Sequence, residues 1–193
     1  MAKGDGGLLD LETHFSFYGA YHSTPGNILL HTLCVWPIVF ATLMFVHYLE
    51  FHLKHYGIEM YVGFFLTLFY SIFYFLLDKK AGTLASILCF GCWIGANSLS
   101  VKLGPILTWK VSLVAQVVCW GAQFIGHGVF EGRAPAILDN LVQACLTAPF
   151  FVLLEVLKSV FGYEPYPGFH ASVKAKTESH IKKWREERAK KST

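Results

Sequence analysis

Five long apolar segments, separated by short polar links, constrain the fold of this chain more than any other feature. They cover residues 28–49, 60–77, 82–101, 106–130 and 141–161. The first carries no formal charge, and as an α-helix it would be about 33 Å long, enough to cross a hydrocarbon core of about 30 Å. We therefore expect an integral membrane protein.

The composition excludes several other classes of protein. Hydrophobic residues make up 54% of the chain and charged residues only 15%, whereas soluble domains usually carry about 25% charged residues. A soluble globular enzyme and a disordered linker are both disfavoured. The net charge of +3 is too small to indicate a nucleic-acid partner, so the expected surroundings are membrane lipid.

The positions of the charged residues predict how the segments cross the membrane. Glu155 and Lys158 lie inside the fifth segment, where a charge at mid-bilayer would cost about 2.5–3.5 kcal/mol by insertion scales. Lys79 and Lys80 lie in the link between the second and third segments. If four segments cross the membrane, this link and the basic tail both lie on the cytosolic side, whereas five crossings would place them on opposite sides. We predict an all-α, polytopic membrane helical bundle with four spans plus a fifth re-entrant or interfacial helix.

This topology divides the chain into an interfacial N-terminal segment (1–27), a transmembrane bundle (28–161) and a cytosolic basic tail (162–193). Within the tail, residues 172–193 interleave glutamates with lysines and arginines, which predicts a solvated helix. It ends in Lys190-Lys191-Ser192-Thr193, which resembles the C-terminal dilysine retrieval signal of endoplasmic reticulum membrane proteins. We therefore expect a multi-pass protein of the endoplasmic reticulum membrane.

Three of the nine histidines are placed where they could act together. His22 precedes the first span, His31 lies about one turn inside it, and His127 lies near the end of the fourth. In a four-span bundle the start of the first span and the end of the fourth lie on the same membrane side. The three imidazoles are therefore predicted to converge in the transmembrane bundle as a metal site.

The residues between His22 and His31 must let both rings reach one point. On one continuous helix, nine positions would direct them to opposite faces. Pro25-Gly26 is expected to break that helix, with Asn27 as the N-cap of the first span.

The surroundings of His127 complete the predicted site. Glu131 follows four residues later, on the same face of a helix. Histidine with carboxylate suits non-haem Fe(II) and oxygen chemistry, whereas three histidines would also suit zinc. Glu131 is a candidate catalytic residue, either as a metal ligand or as a support of the ligands. Gly126 and Gly128, on either side of His127, would allow another helix or a ligand to approach closely.

Four further residues are weaker candidates. His14 forms an i, i+4, i+8 stripe with Tyr18 and His22 and could reach the same site. Arg133 could bind a substrate carboxylate or extend to phosphate headgroups. Asp139 and Asn140 could cap the fifth helix or support the metal ligands.

Several blocks of residues together resemble a known family. They are Tyr21-His22, Asn27, His31, Cys34-Val35, Gln123-Phe124-Ile125-Gly126-His127-Gly128-Val129-Phe130-Glu131, Pro135-Ala136-Ile137-Leu138-Asp139-Asn140-Leu141-Val142-Gln143 and Ala148-Pro149-Phe150-Phe151. The resemblance, from Leu8 to about Phe161, is to the fungal 2-hydroxy fatty acid dioxygenases of the endoplasmic reticulum, which take part in phytosphingosine breakdown. Some members have a second histidine where this chain has Ser23, so only His22 can fill that role.

The resemblance implies an Fe(II)-dependent α-oxidation, in which a long-chain 2-hydroxy fatty acid and O₂ give the fatty acid one carbon shorter and CO₂. His22, His31 and His127 would be the metal ligands, with Glu131 as ligand or support. Asn27 and Arg133 are the expected substrate-binding residues, and the acyl chain would lie in the apolar bundle.

Two other functions are compatible with the residues alone. One is a different membrane metalloenzyme that acts on lipids, a hydrolase or a hydroxylase, although the clustered histidine boxes of multi-histidine hydroxylases are lacking. The other is a non-catalytic lipid-binding membrane protein, for which substitution of the three histidines would leave function intact. The sequence favours no particular oligomeric state.

Overall fold

Helices dominate the computed structural model, which describes residues 7–53, 58–135 and 141–191. The prediction of an all-α fold is confirmed, apart from one short β-hairpin in which Glu50 pairs with Tyr61. The elements in chain order are α1 (Leu11–Tyr21), α2 (Pro25–Phe45), β1 (Glu50–Leu53), β2 (Ile58–Tyr61), α3 (Val62–Leu77), α4 (Lys79–Ile125), a π-helix (Gly126–Glu131), α5 (Leu141–Phe161) and α6 (Phe169–Lys191).

Helix α4 reverses direction at Gly104. This glycine has φ 71° and ψ 167°, outside the helical region and accessible essentially to glycine alone. The Thr108 hydroxyl donates to the Ser100 carbonyl at 3.2 Å, although eight residues of continuous helix would separate them by about 12 Å. The third and fourth apolar segments are therefore two limbs of α4, 79–103 and 105–125, folded back on each other.

The second limb of α4 runs antiparallel to α2. Gln116 donates to Thr42 Oγ1 at 2.9 Å, whereas Gly126, ten residues later, packs against Asn27 near the start of α2. The beginning of α2 and the end of α4 consequently lie at the same end of the bundle. This confirms the sequence prediction on which the convergence of the histidines depends.

The outer surfaces of α2, α3 and α4 are strongly apolar. Large exposed side chains include Leu33 on α2, Phe69 on α3 and Val117 on α4, and exposed apolar surface on this scale marks contact with lipid or another apolar partner. Within the described residues, Pro25–Phe45 and Lys79–Glu131 are long and apolar enough to cross a membrane, judged by length and composition alone, whereas α3 is shorter. The finer prediction of four spans stays a prediction.

The middle of helix α5, residues 146–154, lies inside the fold. Phe150 stacks on Tyr74 of α3 with ring centroids 5.1 Å apart, and Phe151 meets the edge of Phe15 on α1 at 5.2 Å. The Tyr74 hydroxyl also donates to the Leu146 carbonyl at 3.0 Å. This burial on several sides distinguishes α5 from the outward-facing α2, α3 and α4.

Helix α6 packs along α1. Lys176 forms an ion pair with Glu12 at 2.6 Å, and Phe169 and Val173 join the buried cluster that contains Phe15. The predicted helix is confirmed, although it begins three residues earlier, at Phe169. Full solvation is wrong at its start, because Val173 is buried.

Two predicted features lie outside the described residues. Asp139 and Asn140, the candidate cap or support residues, fall between positions 135 and 141. Ser192-Thr193, which complete the dilysine motif, follow the last described position.

Candidate metal centre

Three buried histidines from three chain segments meet at one end of the bundle. His22 is the C-cap of α1, His31 lies in the second turn of α2, and His127 belongs to the π-helix after α4. Their exposed fractions are 8%, 3% and 3%. One potential ligand atom from each lies within 4.8 Å of the others, so the three could hold a metal ion. The predicted convergence is confirmed, and metal binding itself stays a prediction.

Backbone carbonyls orient two of the rings. Nδ1 of His22 lies 2.8 Å from the Tyr18 carbonyl, and Nδ1 of His31 lies 3.0 Å from the Asn27 carbonyl. Since a carbonyl only accepts, each Nδ1 carries the proton and each Nε2 presents a lone pair. Backbone carbonyls hold metal-binding histidines in this way.

The state of His22 fits a metal ligand. Its Nε2 is buried and has no hydrogen-bond partner among the described residues, which is unusual for a buried polar atom. Burial, reinforced by the nearby His31, holds the pKa of His22 well below its ordinary value, so the ring is neutral at physiological pH, the form that binds a metal. Three histidine nitrogens suit iron or zinc.

Glu131 is hydrogen-bonded to the turn between α1 and α2. Its carboxylate accepts hydrogen bonds from Ser23 N and Oγ at 2.8 and 2.6 Å and from Thr24 N and Oγ1 at 2.8 and 2.9 Å. It is not among the ligand atoms gathered within 4.8 Å. Thr24 is the N-cap of α2 and makes no capping bond with its own side chain, so Glu131 supplies the acceptor for these N–H groups.

Sequence reasoning did not identify Ser23 and Thr24 as partners of Glu131. The Thr-Pro pair at 24–25 could have indicated Thr24 as the N-cap of α2, since proline favours the first position of a helix. For the same reason the predicted break at Pro25-Gly26 is misplaced: the break lies at 22–24, and Pro25 opens α2.

Asn27 occupies the centre of the site but is not the predicted N-cap, because α2 begins two residues earlier. Its side chain is fully buried. The Nδ2 atom donates to the Tyr21 carbonyl at 3.1 Å and lies 3.3 Å from Glu131 Oε1 and 3.5 Å from His127 Nδ1. Asn27 thus connects the end of α1 with the π-helix, and substrate binding by Asn27 stays a prediction.

The two glycines beside His127 differ. A Cβ at Gly126 would lie 2.5 Å from Asn27 Oδ1 and 3.2 Å from Leu30 Cδ1, whereas a Cβ at Gly128 would meet nothing within 4 Å. The predicted close approach therefore holds for Gly126, and the neighbour there is α2.

Arg133 lies between α1 and α6. Its guanidinium carbon is 3.5 Å from the centroid of the Tyr21 ring and 5.1 Å from that of Trp184, and Nη1 donates to the Ala20 carbonyl at 3.3 Å. In this position it joins the two helices, and substrate binding by Arg133 stays a prediction.

A cavity of about 70 Å³ adjoins the histidines. All three rings line it, together with His14, the weaker candidate, and apolar side chains such as Phe151. The predicted stripe of His14, Tyr18 and His22 therefore faces one cavity. A small apolar ligand group could reach the histidines through it.

Residues 8–160 match the family model described as "2-hydroxy-palmitic acid dioxygenase Mpo1-like". The chain belongs to the Mpo1-like family. It is also 36% identical over 151 residues to the 2-hydroxy-palmitic acid dioxygenase MPO1 of Saccharomyces cerevisiae, and the alignment covers 78% of this chain and 82% of the yeast protein. No solved structure matches at a significant level. These findings confirm the resemblance noted in the sequence and identify this Mpo1-like chain as a member of an enzyme family.

Proposed function

We propose that the chain is an Fe(II)-dependent dioxygenase of the endoplasmic reticulum membrane. Its reaction converts a long-chain 2-hydroxy fatty acid and O₂ into CO₂, water and the fatty acid one carbon shorter, in the breakdown of phytosphingosine. Membership of the Mpo1-like family supports the reaction class. The observation that carries the proposal is the cluster of three buried histidines beside a cavity with apolar walls.

His22, His31 and His127 would hold the iron. When bound, Fe(II) would supply a centre that can hold a 2-hydroxy acid and react with O₂. The carbonyls of Tyr18 and Asn27 fix two of the rings.

Glu131 acts as a positioning residue in this proposal. Its hydrogen bonds to Ser23 and Thr24 hold the α1–α2 turn, and this turn fixes the distance between His22 and His31. Because five donors already surround the carboxylate, we favour support of the ligands over direct metal ligation.

The cavity walls would keep water away from the reacting groups. Phe151 and Phe124 line the cavity beside the histidines, and a water-poor site limits side reactions of an oxidising centre. The carboxylate end of the substrate would reach the histidines while its alkyl chain remains among apolar side chains.

The membrane topology forms part of the proposal. We assign the four spans to α2, α3 and the two limbs of α4, whose outer faces expose large apolar side chains. Helix α5 is enclosed by α1 and α3, which supports an interfacial or re-entrant position. An amphiphilic substrate would enter from the lipid phase.

The deciding experiment incubates purified protein with 2-hydroxypalmitate, Fe(II) and O₂ and measures pentadecanoic acid by mass spectrometry. We expect product from the wild type and a loss of at least about a hundredfold in His22→Ala, His31→Ala and His127→Ala. His47→Ala is the matched control, because His47 contacts Asn97 at the opposite end of α2. Full activity in His127→Ala, or no product from the wild type, would contradict the proposal.

Metal content gives a second readout that needs no turnover. We expect iron to bind the wild type and raise its melting temperature, since a ligand that binds only the folded state stabilises it by about 2.7 kcal/mol at a hundred times Kd. The His31→Ala variant should lose this shift. Zinc retained in place of iron, together with hydrolysis of a lipid ester, would instead indicate the metal-dependent hydrolase.

A further inference from the structure

A second cavity, of about 230 Å³, lies between α2, α3, α4 and α5. It shares Trp120, Gln123 and Ala148 with the cavity beside the histidines. These three residues therefore form the boundary between the two spaces. A molecule held at the histidines could extend past them into the larger cavity.

Helix α2 presents one continuous stripe from the metal centre into this cavity. Val35, Ile38 and Thr42 line the second cavity, and they follow His31 by 4, 7 and 11 positions, the spacing of one helix face. From His31 to Thr42 the helix rises about 16 Å.

The second limb of α4 presents the same pattern in the opposite direction. Gln123, Trp120 and Gln116 line the second cavity and precede His127 by 4, 7 and 11 positions. Because α2 and this limb are antiparallel, the two stripes face each other along the same length. That length of about 16 Å is close to half of a hydrocarbon core of about 30 Å, which is the share filled by the acyl chains of one leaflet.

Three hydroxyl groups that line the second cavity are hydrogen-bonded to backbone carbonyls. Thr42 and Thr67 donate to the carbonyls of Ile38 and Gly63, each at 2.8 Å. Tyr70 donates to the Cys145 carbonyl at 3.2 Å.

Gln116 and Trp120 are held in the same way. Gln116 Nε2 donates to the Ile38 carbonyl and to Thr42 Oγ1 at 3.1 and 2.9 Å, and Trp120 donates to Gln116 Oε1 at 2.9 Å. The surface that this cavity presents to a ligand is therefore mainly apolar. Apolar cavities of about 150 Å³ stay dry and take up hydrocarbons.

We propose that this second cavity binds the acyl chain of the substrate, with the end nearest Leu43 and Leu66 setting the preferred chain length. The inference rests on the proposed function for the identity of the polar head, which would lie at the histidines. Trp120 and Ala148 are the constriction past which the chain runs.

A bulky substitution in the cavity tests the assignment. Val39→Phe fills part of the cavity, and each methylene kept out of it lowers kcat/KM by about fourfold. We expect the ratio of kcat/KM for 2-hydroxypalmitate to that for 2-hydroxydecanoate to fall by about tenfold or more, from two or more displaced methylenes.

Leu33→Phe is the matched control on the same helix, because Leu33 is 61% exposed and lines neither cavity. An unchanged ratio in Val39→Phe, or an equal fall in Leu33→Phe, would overturn the proposal. Leu66→Ala should move the ratio the other way, towards longer acids.

A labelling experiment separates this inference from the dioxygenase activity. A 2-hydroxy fatty acid with a photoreactive diazirine at its terminal carbon should label peptides that carry Leu43 or Leu66, and Val39→Phe should reduce the labelling. Labelling without product from the wild type would refute the dioxygenase activity and uphold the acyl site. Labelling confined to exposed positions such as Leu33 would overturn the acyl site whether or not product forms.

Discussion

Ser23 donates both its backbone N–H and its hydroxyl to the carboxylate of Glu131, across 108 positions of sequence. The pair fastens the turn that carries His22 to the π-helix that carries His127. The spatial relation of two histidines therefore depends on a residue that provides no ligand in this arrangement.

Substitution of Glu131 by glutamine should loosen this connection. The amide keeps the size but removes the charge that strengthens five hydrogen bonds, and a hydrogen bond to a charged group contributes about 1.5–3 kcal/mol. We expect a lower melting temperature and weaker iron binding, both measured on detergent-purified protein. Glu155→Gln is the control, because its contact with Lys158 at 3.6 Å is partly exposed and should contribute at most about 1 kcal/mol. Iron affinity equal to wild type in Glu131→Gln would argue against the positioning role.

Alanine should be harmful at Gly126 and tolerated at Gly128. At Gly126 the new methyl group would overlap Asn27 Oδ1, and overpacking of this kind costs about 1–3 kcal/mol. We expect a lower melting temperature and reduced iron stoichiometry for Gly126→Ala, with Gly128→Ala close to wild type because nothing lies within 4 Å there. Equal effects of the two variants would show that the close approach of α2 to Gly126 matters neither for stability nor for iron binding.

Replacement of Gly104 should destabilise the reversal of α4. No atom blocks a side chain at this position, so the cost of Gly104→Ala is conformational, about 1–3 kcal/mol for a non-glycine residue in this backbone region. Gly121→Ala in the second limb meets nothing within 4 Å either and should stabilise by roughly 0.5–1 kcal/mol, because alanine favours helix over glycine. Thermal unfolding of the two variants distinguishes these opposite signs.

The contact between α1 and α6 should weaken in acid. Lys176, with Ser172 and Tyr166, lowers the pKa of Glu12 from its ordinary 4.5 to about 2. A carboxylate with a lowered folded-state pKa contributes stability that is present above pH 4.5 and lost as the pH falls through about 2.

Melting temperatures of the wild type and Glu12→Gln, measured from pH 7 to pH 2, test this directly. The difference should be largest above pH 4.5 and should vanish near pH 2. Glu178→Gln, on the exposed face of α6, should show no such pH dependence. A constant difference for Glu12→Gln across the range would exclude the ion pair as its cause.

The proximity of His31 and His127 could be predicted from the sequence, because it follows from the direction of the apolar segments. Apolar segments of membrane length must alternate in direction, so the start of the first and the end of the fourth meet, and His31 and His127 with them. The reversal at Gly104-Pro105 likewise shows in the sequence as a short interruption between two apolar runs.

Contacts between distant segments were not predictable from spacing. The i, i+4 relation of His127 and Glu131 indicates a shared helix face, but the partners that occupy the carboxylate, Ser23 and Thr24, lie more than 100 positions away. The packing of Phe169 on α1 was obscured by the high charge of the tail. In both cases tertiary contacts outweighed the local pattern.

The histidine cluster brings together parts of the chain that are synthesised at different times. Asn27 and His127, which meet across it, are 100 positions apart, and His127 leaves the ribosome long after His22 and His31. A growing chain that has not yet brought back the second limb of α4 therefore holds only two of the three nitrogens. The centre can be completed only after the second limb of α4 has packed against α2, so iron uptake would report that this step of folding has taken place.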